Sequence, residues 1–313
     1  MTVERLINIL VTITLIEMMV AVGLGVAFAD LISVAKNVRF VAQGAIANYV
    51  VVPAATVALL LLFHVQPTVA AGFLILAVCP GAPFGPPCTT IAKGNLAASV
   101  GLMVLLAASS AVVAPNLLQV LLPLMSGNEP LHVDAVKLVG TLLATQLIPL
   151  CNGLAVRHWR PSLAARIQNP ANRLSAILNL TVAAFILATQ FGMLAAITLR
   201  AYAGMCALLI ASLAAGWLLG GPGRENRKAM TLTTSLRNVG VGLVIATGSF
   251  PGTPALTATL AYGLIEIFGS LLLALWWDHA ALRGPPRYEA GKFISEQGLE
   301  SDVVMTADPR VPV

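Results

Sequence analysis

Residues 67–92 read PTVAAGFLILAVCPGAPFGPPCTTIA. The first half is charge-free and apolar, as a membrane-crossing helix requires. The second half cannot continue that helix. Pro80, Pro83, Pro86 and Pro87 each remove a backbone donor and clash with the preceding turn, while Gly81 and Gly85 permit dihedrals outside the helical region. An unwound stretch inside a bilayer is tolerated only where it is buried in protein or faces a water-filled cavity. The segment therefore predicts a broken membrane helix, with free carbonyls before the break. The N–H groups of a helix start after it, near Cys88-Thr89-Thr90, would favour an anion.

The whole chain agrees with a bilayer setting. Of 313 residues, 58% are hydrophobic and 10% charged, with mean hydropathy +0.88, against about 25% charged in a soluble domain. Long apolar runs without strict alternation exclude a barrel and predict an all-α polytopic membrane protein. Nine spans are expected, near 6–29, 39–63, 67–92, 96–124, 135–156, 171–194, 198–220, 228–250 and 254–277. The apolar stretch before Ala27-Phe28-Ala29 is too long for a signal h-region and contains Glu17, so it reads as a retained first span. Residues 279–313 are polar and read as a cytoplasmic tail. The longest loop is expected at about 157–170.

Charge placement tests the count. Alternate loops put Arg5, Lys137 and Arg200 on one side. The other side receives Lys36, Arg39, Lys93, Arg157, Arg160, Arg166, Arg173, Arg224, Arg227, Lys228, Arg283, Arg287, Lys292 and Arg310. Such segregation places the N-terminus outside and the C-terminus in the cytoplasm of a cell membrane. The net charge of +5 thus orients the chain in the lipid bilayer and gives no sign of nucleic-acid binding. Cys79, Cys88, Cys151 and Cys206 form no CxxC pair and read as small hydrophobes, not as a metal site or disulfide framework. His64 reads as an interfacial residue. No HExxH, GxSxG or clustered His/Asp pattern supports an enzyme, and no catalytic residue is assigned.

The remaining lysine or arginine, Arg237, falls inside the eighth span, which is itself interrupted at Arg237-Asn238-Val239-Gly240-Val241-Gly242. The third and eighth spans hold equivalent places in two sets of four around the fifth, and the odd offset turns the sets opposite ways. This predicts inverted repeats at about 6–124 and 171–278 joined by a linking helix at about 135–156, within a transporter domain at 1–278. Two broken helices in corresponding positions predict a midplane binding site. Arg237 is costly in a span unless it has a partner or a polar cavity. It either pairs with Glu266 in the last span or receives the anionic group of a substrate through a two-pronged contact. Thr233, Thr234, Ser235 and Asn238 flank it.

The stretch Cys79–Asn95, CPGAPFGPPCTTIAKGN, resembles the signature of the bile acid:sodium symporter family, roughly CPGGxxSN followed by AKGD. Met18–Leu24, Asn48 with Pro53, and Thr233–Asn238 (TTSLRN) look like three further family segments, in the same order. The resemblance implies a ten-helix fold of two inverted repeats, here without its first helix, with a panel domain and a core domain whose discontinuous helices cross at the site. It implies alternating-access transport of a small organic anion, bile acid-like or another carboxylate or sulfonate, coupled to sodium. The implied site is Asn48, Gly81, Gly85, Pro86, Thr89, Thr233, Thr234, Ser235, Arg237 and Asn238. Yet the family's sodium ligands are largely replaced: Gly85 and Pro86 stand for Ser and Asn, Thr233 for Glu, Arg237 and Asn48 for Gln. Sodium wants hard oxygen ligands, and a fixed cation about 4 Å away costs about 4 kcal/mol at an effective dielectric near 20. Sodium coupling is therefore expected to be lost. Alternative readings are an extruder of arsenite or another inorganic anion, since Pro87-Cys88-Thr89 resembles the P-C-T of arsenite permeases, and a non-transporting membrane sensor. Oligomeric state is left open.

Overall fold

The computed structural model describes residues 3–125, 131, 133–195 and 197–283. They are helical: α1 (Val3–Gly25), α2 (Phe28–Lys36), α3 (Val38–Ile46), α4 (Val52–Leu62), α5 (Pro67–Ala77), α6 (Gly85–Ile91), α7 (Leu96–Met125), α8 (Ala135–Leu142), α9 (Ile148–Trp159), α10 (Pro161–Ala195), α11 (Leu199–Leu219), α12 (Arg224–Ser235), α13 (Val239–Ser249) and α14 (Pro254–Arg283). Among the described residues, eight stretches are long and apolar enough to span a membrane. The ninth expected span, 67–92, is divided into α5 and α6. The protein is thus an all-α multi-pass membrane protein. Large apolar side chains such as Leu62, Ile210, Leu218, Phe268 and Leu272 lie exposed on its surface, where lipid and not water covers them.

Two spans contain a widened π turn, Ala47–Val51 between α3 and α4 and Leu143–Leu147 between α8 and α9. Each directly precedes the start of a helix with proline in its first turn, Pro53 in α4 and Pro149 in α9. A proline lacks its N–H and presses on the carbonyl four residues back. Widening that turn removes the clash without ending the span. The widened turns also hold Asn48 and Gln146, both fully buried.

Helices α1, α9 and α10 pack on one another, and α1 also meets α13. The α1–α9 approach is close. A Cβ added to Gly23 would lie 2.4 Å from the Leu150 carbonyl, and one on Gly153 2.4 Å from the Val20 carbonyl, so small residues set this contact. Around the other pair of broken helices, α12 packs on α6, α7 and α11, and α13 packs on α5.

Three sequence expectations need correction. Residues 157–170, expected as a loop, are helical except at Arg160. Pro161 starts α10, where its missing donor is harmless, and the Ala, Leu, Arg and Gln that follow are strong helix formers. The first expected span, 6–29, ends as α1 at Gly25, and residues 28–36 form α2, which packs on α7. The last helix runs on to Arg283, so the first residues of the expected tail are helical. Residues 284–313, the rest of the tail, lie outside the described residues.

Candidate functional site

The two breaks meet. Between α5 and α6 the chain leaves the helix at residues 78–84, and between α12 and α13 at Leu236–Asn238. The Asn238 N–H donates to the Cys79 carbonyl at 2.8 Å, a main-chain bond from one break to the other. Gly81 has φ +88°, and a Cβ there would lie 2.6 Å from the Ala107 amide nitrogen. Both the backbone and the space demand glycine. Asn238 caps α13, its side-chain oxygen accepting from Val241 N–H at 3.2 Å, as N-cap asparagines do. Gly240 and Gly242, expected within the interruption, belong to α13.

The expected anion site at the start of α6 fails. The Gly85 N–H donates to Ala82, Pro86 and Pro87 have none, and the Cys88 N–H donates to Phe84. The prolines occupy the first turn of the helix, so they remove the donors that an anion would have used. The carbonyls of Gly85 and Pro86 are also engaged, by the Thr89 hydroxyl at 2.9 Å and the Thr90 hydroxyl at 3.2 Å.

The hydroxyl groups bond among themselves. Thr89 Oγ1 lies 3.0 Å from Ser99 Oγ, its one hydrogen being shared between that contact and the Gly85 carbonyl, and Ser99 Oγ lies 3.1 Å from Thr233 Oγ1. Gly85 packs beside Thr233. Thr234 Oγ1 accepts from Asn48 Nδ2 at 3.2 Å, and Ser235 Oγ lies 2.9 Å from Ser270 Oγ. Sequence reasoning singled out neither Ser99 nor Ser270, each of which is flanked by apolar or small residues in its helix. Ser99→Ala removes the link between Thr89 and Thr233 and leaves two buried hydroxyls with a partner fewer. It is expected to lower stability by about 1–2 kcal/mol, read as a lower unfolding temperature.

Arg237 has 1% of its surface exposed. Its Nη1 donates to Asn48 Oδ1 at 2.9 Å, and the widened turn around Asn48 places that side chain there. Glu266, fully buried, accepts the backbone N–H of Arg237 at 2.8 Å through Oε1. The sequence left an Arg237–Glu266 pair open; the carboxylate meets the main chain of Arg237 and not its guanidinium. Arg237 Nε and Nη2 and Asn238 Nδ2 are buried and have no partner among the described residues. Buried polar groups are nearly always satisfied, so three orphaned donors on neighbouring residues are a chemical statement. They call for acceptors, while Glu266 Oε2 and the Tyr262 hydroxyl are also buried and without a partner among the described residues.

A cavity of about 110 Å³ is lined by Arg237 and Asn238, by Pro83 and Phe84 from the other break, and by apolar side chains of α1, α10, α13 and α14 such as Leu15, Ile186, Leu243 and Leu264. Among the described residues, no three His, Cys, Asp or Glu side chains are grouped to hold a metal. Gln146 is another buried polar residue that the sequence reading missed. Its Nε2 donates to the Ala107 carbonyl and, at 3.1 Å, to Ser110 Oγ, while its Oε1 is unpartnered among the described residues.

The sequence matches the profile of the sodium bile acid symporter family over residues 12–218. It is 24% identical over 281 residues to a rice (Oryza sativa subsp. japonica) protein described as a probable chloroplastic sodium/metabolite cotransporter, BASS2, covering 87% of this chain and 65% of that one. It is 25% identical over 274 residues to YocS of Bacillus subtilis, described as an uncharacterized sodium-dependent transporter, covering 85% and 82%. An Arabidopsis thaliana protein described as probable sodium/metabolite cotransporter BASS1 is 24% identical over 263 residues, covering 82% and 64%. The chain thus spans just under two thirds of the length of these two plant relatives.

Proposed function

The chain belongs to the sodium bile acid symporter family, and on that premise we propose that it is a secondary transporter. It carries a small organic anion across the cell membrane by alternating access, with the guanidinium of Arg237 in place of a bound sodium ion. The observation that carries this reading is the set of three unpartnered buried donors, Arg237 Nε and Nη2 and Asn238 Nδ2, on two residues that also line a small cavity with mostly apolar walls, Thr14 and Asn179 being the other polar residues there. A carboxylate supplies acceptors only and fits a guanidinium two-pronged. The apolar walls favour a short aliphatic body. An inorganic anion would share the donors and leave those walls without a partner.

Loss of sodium coupling has its own support. The hydroxyls of Thr89, Ser99 and Thr233 satisfy one another, and the carbonyls of Gly85 and Pro86 accept from threonines. The oxygens of Thr89, Ser99, Thr233, Gly85 and Pro86 are thus already engaged, and the guanidinium of Arg237 repels a cation. The charge asymmetry of the loops supports an outward N-terminus, and two broken helices in corresponding positions support inverted repeats moving around a fixed site.

Uptake by the purified protein in proteoliposomes tests both parts. Radiolabelled butyrate and related short carboxylates are expected to enter at the same initial rate whether sodium or choline is the bulk cation. A sodium-dependent rise in rate would overturn the replacement of the ion. Failure of every short carboxylate to enter, or to raise the unfolding temperature, would overturn the substrate class.

A further inference from the structure

A second cavity, of about 540 Å³, shares no lining residue with the first. Its interior is apolar, with Leu60 of α4, Phe73 of α5 and Met205 and Leu208 of α11 on its walls. Its rim is different. Gln66 comes from the connection between α4 and α5, Thr198 and Arg200 from the start of α11, and Pro254 from the start of α14. In the alternation of loops these segments all fall on the side opposite the basic loops, so the rim sits at one membrane–water interface.

Arg200 is the one formal charge on this lining. Its Cζ lies 5.8 Å from the centroid of the Phe63 ring, a cation–π contact that holds the guanidinium at the mouth. Stacking uses the face of a guanidinium and leaves its N–H edges free for an anion. The volume falls within the roughly 300–1,000 Å³ usual for small-ligand sites, where apolar walls and a few polar groups are the rule. An apolar chamber with one cation at headgroup depth matches a molecule with an alkyl chain and one anionic end, and a single chamber takes one chain.

We propose that this cavity binds a long-chain fatty acid, with its chain against Leu60, Phe73 and Leu208 and its carboxylate on Arg200. The bilayer supplies such ligands laterally, so the site fills from the membrane and not from the central cavity. The inference is independent of the transported anion, since Arg237 and Arg200 serve different cavities.

Binding of radiolabelled palmitate to the purified full-length protein tests it. Saturable binding at one molecule per chain is expected, with hexadecanol a much poorer competitor. Arg200→Gln is expected to weaken palmitate by about ten- to a hundredfold, as loss of a charged hydrogen bond does. Gly204→Leu projects into the cavity from a position whose Cβ would meet only the Phe63 ring, at 3.7 Å. It is expected to abolish binding at an unchanged unfolding temperature, and Arg237→Gln is expected to leave palmitate binding intact. Undiminished palmitate binding by both Arg200→Gln and Gly204→Leu would overturn the proposal. So would loss of it in Arg237→Gln alone, which would move the ligand to the central cavity. Stronger displacement by lysophosphatidylglycerol than by unlabelled palmitate would overturn the fatty-acid assignment in favour of a phospholipid.

Discussion

Arg237→Gln should lower the transport efficiency for a short carboxylate by about 30-fold or more. The guanidinium is buried and offers two unpartnered nitrogens beside a small cavity. Removing one side of a buried, charged hydrogen-bonded contact costs about 2–5 kcal/mol, and each 1.4 kcal/mol is tenfold. The effect should fall on anion affinity, since the contact is made in the bound state. Glutamine retains the backbone N–H that Glu266 accepts, and Asn48 keeps its bond to Thr234, so the fold should survive. Arg237→Lys keeps the charge and loses the fork, and its efficiency is expected between wild type and Arg237→Gln. Thermal unfolding measured beside uptake separates the roles. Unchanged affinity with a large drop in unfolding temperature would make Arg237 a structural strut and remove the substrate site.

Gly81→Ala should be the most damaging substitution of a single methyl group. At φ +88° an L-residue is strained by roughly 1–2 kcal/mol, and the new Cβ would meet Ala107 main-chain atoms at 2.6 and 2.8 Å. Backbone cannot move aside as a flexible side chain does, so overpacking adds about 1–3 kcal/mol. The expected loss of about 2–5 kcal/mol should appear as a strongly lowered unfolding temperature and poor yield from the membrane. An unchanged unfolding temperature would show that the unwound segment between α5 and α6 is free to rearrange.

The membrane class, the two interruptions and a basic residue buried at the second of them, Arg237, were legible because each breaks a strong local rule. Prolines violate a helix, and a guanidinium violates a charge-poor span. What the sequence hid depends on register. Whether Pro86 and Pro87 fall before a helix start or on it decides if donors remain, and one residue changes the answer. Ser99, Ser270 and Gln146 are polar residues in mostly apolar spans, and their facing is set by tertiary packing. Glu266 was named from its sequence neighbourhood, but its choice of the main-chain N–H over the guanidinium is a matter of angles that no pattern carries. Residues 161–170 misled because low hydropathy marks the end of the bilayer and not the end of a helix.

The hydrogen bond from the Asn238 amide to the Cys79 carbonyl joins backbone to backbone, so side-chain replacement leaves its partners in place. With Glu266 gripping the neighbouring amide from α14, both crossovers are stitched into one stiff frame. The seam against α1 and the α8–α9 segment is crossed by side-chain bonds, Asn8 Nδ2 to Thr247 Oγ1 at 2.7 Å and Gln146 to Ser110. Each such bond contributes only about 1 kcal/mol net. The alternating access proposed above is therefore expected to slip along that seam, with the frame moving as one body.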